Sequence, residues 1–237
     1  MDMQKVVKLC DPDYPLEQSL LAARNLMKTE PMLDVELARM LPRNGHGSEG
    51  LAGRAALRAL EILDAISPGT RLVLPLSPLV HHDEPALRSK AALVIGRRVQ
   101  NLNWMEKHLQ EVDPRVRANV LESLWHNNSL ELTGIFRHYQ RDSHNRVAGN
   151  ALIGLYLREP EEAVQNVRAM AEHAEGRFRV TAAWVMGMTA NARFLGIIKT
   201  LMRDPDEKVR SAACRALFKI KNGKSPLNPQ AAFVALR

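Results

Sequence analysis

The sequence has few aromatic residues, only two cysteines and no long apolar run, and each scarcity removes a class of protein. Phe, Trp and Tyr make up 5% of 237 residues while alanine is frequent, which favours close-packed helices over a β-sandwich. Cys10 and Cys214 stand far apart with no CxxC. That excludes a disulfide framework and a zinc motif, and it fits a reducing cytoplasm. No apolar run approaches the ~18 residues of a membrane span. The opening MDMQKVVKLCDPDYP has neither an h-region nor a small-residue cleavage site, so no signal peptide is expected. There is no glycine-rich phosphate loop, no GxSxG and no HExxH. The eight histidines lack ligand spacing; His81, His82 and Asp83 are consecutive, and a turn cannot aim three consecutive side chains at one ion. No catalytic residue, cofactor or metal ligand is expected.

Hydrophobic residues at 46% and charged residues at 25% are ordinary for a soluble globular chain. Lys and Arg number 33 against 26 Asp and Glu, a net charge of +7, with a pI near 9.7. A nucleic acid or another anionic partner is compatible with that balance.

An internal repeat dominates the sequence. LRSKAALVIG from Leu87, VRANVLESLW from Val116, VAGNALIGLY from Val147, FRVTAAWVMG from Phe178 and VRSAACRALF from Val209 superpose without gaps, at a period of about 31 residues. A weaker copy starts at Ala52. With the first residue as position 0, positions 0, +4, +5 and +8 are apolar almost throughout, as in Val209, Ala213, Cys214 and Leu217. At about 100° per residue they form one broad helical face. A second helical pattern precedes each copy, through Trp104, Met105 and Leu109; Ile135, Phe136 and Tyr139; Val164, Val167 and Met170; and Phe194, Ile198 and Leu201. Turn signals separate the two: HHDEP, VDP, RDSHN, AEG and RDPD. Asp or Ser before a helix caps its N-terminus, and Pro85, Pro114 and Pro205 favour first-turn positions. A helix pair of this length cannot bury its own apolar face, so the pairs must stack. The expected fold is all-α, a right-handed α-solenoid of about six antiparallel helix pairs.

The phrase Asp-Pro-x-Val-Arg-x-x-Ala-x-x-x-Leu, close in DPRVRANVLESL (113–124) and with two extra turn residues in DPDEKVRSAACRAL (204–217), resembles the HEAT repeat. The short bacterial type named after phycobilisome lyases is the nearest match. The resemblance covers roughly residues 51–220 and specifies fold far better than activity, since the family serves scaffolding, nucleic-acid binding and a few enzymes. One HEAT-like enzyme, deoxyhypusine hydroxylase, binds two irons through His-Glu pairs, and no His-Glu dipeptide occurs here.

The expected organisation is N-terminal helices capping the array over 1–50, the repeat array over 51–222, and a linker with a short tail over 223–237. Segments 15–28 and 31–41 read as helices, the second pairing with 51–66 across PRNGHGSEG, a candidate hinge. Pro75 and Pro78 predict a kink in the next helix.

Two arginine columns and one apolar pattern stand out. Position +1 holds Arg88, Arg117, Arg179 and Arg210, toward the buried side, where a charge demands a partner. They are read as a structural ladder tying acidic turn residues Asp83, Asp113, Glu175 and Asp204 to neighbouring repeats. Position −1 holds Arg115, Arg146, Arg177 and Lys208, turned away from the core at helix N-termini, where the macrodipole disfavours cations. This basic ridge is read as facing an anionic partner, against the alternative of a solvated face. Positions +6 and +10 on the same side carry Ile153 with Leu157 and Trp184 with Met188, which predicts one exposed apolar patch. The C-terminal Phe233, Val234 and Leu236 are the alternative cover for it. The reading is therefore a non-catalytic cytoplasmic scaffold that binds an acidic protein segment on its concave face. A nucleic-acid-binding solenoid is the first alternative, and a HEAT-like lyase or enzyme accessory subunit the second. Oligomeric state is left open.

Overall fold

The computed structural model describes residues 3–43, 51, 53–67, 69–99, 101–223, 225 and 227. Among them every regular element is helical, as the 3.6-residue periodicity requires. The chain divides into two compact units, Met1–Ser123 and Leu124–Arg237.

The first unit opens with α1 (Met3–Leu9), α2 (Leu16–Thr29) and α3 (Leu33–Arg39). Helix α4 (Gly53–Ile66) packs on both α2 and α3, so segments 31–41 and 51–66 pair as expected. Residues 44–50 of the candidate hinge lie outside the described residues. Pro75 and Pro78 do more than kink a helix. A 3-10 turn (Thr70–Leu72), a single turn α5 (Val73–Leu76) and a second 3-10 segment (Ser77–His81) replace a continuous helix, because each proline lacks an N–H and crowds the preceding turn. Arg71 anchors this segment by donating through Nε to the fully buried carboxylate of Asp34 on α3, at 2.6 Å. Helices α6 (Pro85–Gly96), α7 (Leu102–Leu109) and α8 (Pro114–Ser123) complete the unit, α7 pairing with α8 while α6 lies beside α8.

The second unit comprises α9 (Leu132–Tyr139), α10 (Asn145–Tyr156), α11 (Pro160–Ala171) and α12 (Gly176–Thr189). A 3-10 turn (Ala192–Phe194), α13 (Leu195–Leu201) and α14 (Glu207–Lys221) complete it. The pairs are α9 with α10, α11 with α12 and α13 with α14; the second helices α10, α12 and α14 stack side by side. Each unit is an α-solenoid of stacked helix pairs.

The apolar positions are the core. Leu87, Ala91 and Ile95, then Val147, Ala151 and Leu155, are buried, as are Phe136, Val164, Val167, Phe194 and Ile198 on the partner helices. Burial of one such Leu or Phe is worth about 1.5–3 kcal/mol. Small residues let the helices approach. A side chain at Gly154 would overlap the Phe136 ring, and one at Gly149 would overlap the Thr181 methyl. One apolar position departs from the pattern: Cys214 is exposed.

Turn chemistry sets the helix starts. The Asp113 carboxylate accepts from the Arg115 N–H at 2.8 Å, Asp142 from His144 at 2.7 Å, Asp204 from Asp206 at 2.9 Å and Asp206 from Lys208 at 2.8 Å. Pro85 and Pro114 open α6 and α8. Pro205 instead lies in the turn before α14, because the two extra residues of DPDE move the helix start to Glu207.

Candidate partner-binding site

The +1 arginines are seated alike. Through Nη1, Arg88 donates to the carbonyls of His82 (2.7 Å) and Asp83 (2.9 Å), and Arg117 to those of Glu111 (2.8 Å) and Val112 (3.0 Å). Arg179 donates to His173 (2.9 Å) and Ala174 (2.8 Å), and Arg210 to Asp204 and Pro205 (both 2.9 Å). Each arginine therefore ties its helix to the two carbonyls closing its own turn, orphan groups that need a donor. For Arg88 and Arg179 the carboxylate partner comes from the following turn. Arg179 grips Asp204 with two bonds of 2.7 and 2.9 Å, and Arg88 lies 3.7 Å from Asp113. The bond from Arg179 is the main reason the Asp204 carboxyl sits below its ordinary range. At Asp113, burial pushes the carboxyl up, but bonds and charge from Arg115 and Arg88 outweigh it and hold the group low.

All four −1 residues, Arg115, Arg146, Arg177 and Lys208, are exposed. Three of them have an acid two residues upstream that offsets the helix dipole. Arg115 bonds Asp113 through Nε and Nη2 at 3.2 and 3.1 Å, and Arg177 pairs with Glu175 at 2.7 Å. Asp206 caps the N–H of Lys208. The unfavourable placement inferred from the helix dipole alone is thus compensated locally.

The apolar patch requires a correction. Ile153 is 0% exposed, so it belongs to the packing between helices and not to a surface. Position +6 escapes burial only where neighbouring helices stand apart, and Gly149 lets α12 close onto α10: the Trp184 ring lies 3.4 Å from where a Gly149 side chain would begin. Trp184 and Met188 are half-buried and Leu157 is exposed. The linker after α14 also turns back here, since Ser225 donates to the Met188 carbonyl at 2.8 Å and Leu227 is buried. Phe233, Val234 and Leu236 lie outside the described residues.

Two further arginines carry structure that the apolar columns do not signal. Arg98 is 8% exposed and donates to the carbonyls of Leu63 and Ser67 and to the Asp64 carboxylate. Arg158 donates to the carbonyls of Leu124, Trp125 and Asn127 while stacking 4.8 Å above the Phe136 ring. Arg98 plugs carbonyls at the C-terminal end of α4, where the dipole favours a cation, and Arg158 ties down the turn over residues 124–127. Both stand at position +11, a recurrence at the level of the repeat that could have revealed them.

Ridge residue Arg177 also lines a cleft of about 440 Å³ between the 140–143 and 173–177 turns, with Gln140, Arg141, Asn166, His173 and Phe178. His173 packs on Phe178 at 4.2 Å, and its Nδ1 accepts from the Glu175 N–H at 3.0 Å. Among the described residues, no group of three or more His, Cys, Asp or Glu could hold a metal ion, and no helix is long and apolar enough to cross a membrane.

Residues 132–217, from α9 into α14, match the HEAT repeats family. No curated protein matches the sequence. Solved structures similar to the chain include an engineered protein, 17% identical, covering 94% of this chain and 98% of that one at a TM-score of 0.42. Another is a designed armadillo repeat protein in complex with the peptide (KR)4, 13% identical, covering 93% and 100% at a TM-score of 0.29.

Proposed function

We propose that this chain is a HEAT-repeat scaffold of the short bacterial type that holds an acidic protein segment along the second helices of its second unit. The exposed cations of the second unit carry the proposal: Arg146, Arg177 and Lys208 recur once per repeat at the starts of α10, α12 and α14, and Arg115 holds the same repeat position on α8 of the first unit. Leu157, Trp184 and Met188 supply apolar contact beside the ridge in the second unit. Glu175 and Asp113 already pair with two of the cations, so a partner carboxylate competes with a local acid at those positions. Selection then rests on the spacing of Arg146, Arg177 and Lys208 within the second unit rather than on net charge. Both cysteines are free thiols, in keeping with a reducing cytoplasmic setting.

The test is a titration of the chain with a partner recovered from its host, beside a DNA duplex, over a range of salt. For a protein segment, Leu157→Asp and the fourfold ridge change to Ser each weaken binding at least about tenfold, the size of one hot-spot contact. Leu157 is preferred to Trp184 because Trp184 also packs on α10. If the duplex binds more tightly and loses about 0.9 log units per log unit of salt for each phosphate neutralised, the nucleic-acid reading replaces this one.

A further inference from the structure

Within the second unit, successive second helices meet through fixed positions. Position +2 of α10 is Gly149, and a side chain there would run into Thr181 and Trp184 of α12. Position +9 of α12 is Gly187, whose missing side chain leaves room for Ala216 of α14 at 3.0–3.2 Å. In the first unit, position +9 of α6 is Gly96, and Ser123 of α8 fills the corresponding space. Positions +2 and +9 of one helix thus receive positions +3, +6 and +7 of the next. The intervening position +5 is buried at Ala92, Leu121, Leu152 and Ala183.

On α14 the same receiving positions are Ser211, Cys214 and Phe218, and all three are exposed, Phe218 at 69%. A phenylalanine this exposed stands where Gly96 and Gly187 accept a neighbouring helix. Arg215 and Lys221 are exposed within a turn of it, and at the far end of α14 the exposed Lys208 stands beside Glu207, the one exposed carboxylate among the described residues of this helix. An excess of cations repels the like-charged α14 of a second copy and attracts acidic residues.

We infer that this face of α14, centred on Phe218, is a docking surface for an acidic amphipathic helix, which stacks on α14 as α14 stacks on α12. The aromatic ring is the anchor, Ser211 and Cys214 give the close approach, and Arg215 and Lys221 meet carboxylates on either flank of the incoming helix. This surface is distinct from the −1 ridge of the scaffold proposal and shares only Lys208 with it.

The two cysteines make the test direct. Cys214 lies in the face, whereas Cys10 is buried with its thiol pushed up to about 12 by burial, Arg58 opposing the shift, so at neutral pH a maleimide reads Cys214 alone. The probe is a synthetic helix of about five turns with leucine on one face and glutamate elsewhere, compared with its lysine counterpart. In the full chain without probe, Cys214 labels as an exposed thiol at a rate independent of protein concentration. The glutamate helix slows labelling and the lysine helix does not. Phe218→Asp, or Arg215→Glu with Lys221→Glu, reduces affinity for the glutamate helix about tenfold or more, while Arg146→Ser with Arg177→Ser leaves it unchanged. Concentration-independent protection of Cys214 in the free chain would show the face already covered by the chain itself, and protection that disappears on dilution would show a second copy there. Either result overturns the proposal, as does equal or absent protection by the two probe helices.

Discussion

The joint between α10 and α12 and the open face of α14 are built on the same repeat positions and differ in what occupies them. At the joint, Gly149 admits the Thr181 methyl and the Trp184 ring, and Ile153 disappears from solvent. On α14, Phe218 and Cys214 occupy equivalent receiving positions and stay exposed. The repeat pattern alone therefore does not decide burial on a helix flank. The distance to the next helix does, and small residues set that distance.

The sharpest way to break the comparison is to fill the joint. Gly149→Leu should destabilise the second unit by about 3 kcal/mol, as overpacking of a close contact does. Denaturant unfolding of the variant beside wild type measures it, and an unchanged midpoint would mean that α12 does not lie against α10.

Val147 is the fully buried position 0 of α10, and Val147→Ala should cost about 1–3 kcal/mol. Stability in a repeat array is carried by neighbouring interfaces, so hydrogen exchange should quicken first in α9 to α12. Uniform quickening over the whole chain would contradict a stack of locally coupled pairs.

The Arg179–Asp204 pair joins successive turns on the joined side of the stack and should be visible as a pH effect. The Asp204 carboxyl is held low chiefly by Arg179, so its contribution is present above the unfolded carboxyl value near about 3.9. It is lost as pH falls through the lower folded value. Melting curves of wild type and Asp204→Asn should therefore differ above about pH 4 and converge below it. A gap that persists in acid would mean that the Asp204 charge is not what matters.

The smallest effects are expected on open surfaces. Phe218→Ala should change stability by less than about 0.5 kcal/mol, and so should the fourfold change of Arg115, Arg146, Arg177 and Lys208 to Ser. A large loss in either melting curve would show that these side chains are structural and remove them as candidate contact surfaces.

The helix pairs, their period of about 31 residues and the apolar positions at 0, +4 and +8 were legible in the sequence, because each depends only on local helical geometry. The +1 and −1 arginines were separable for the same reason: two positions apart on a helix, they point in different directions, and the structure gives them turn carbonyls and solvent respectively. Local geometry could not say which carboxylate meets Arg179, since Asp204 belongs to the following turn. Nor could it find Arg98 and Arg158, whose partners are backbone carbonyls about thirty residues earlier in the chain. On the same account the period points Ile153 to solvent and Cys214 to the core, and the structure places them the other way round. Periodicity fixes the angle at which a side chain leaves its helix, but only the stacking of a second helix, at the separation glycine permits, decides whether that angle ends in a core or in water.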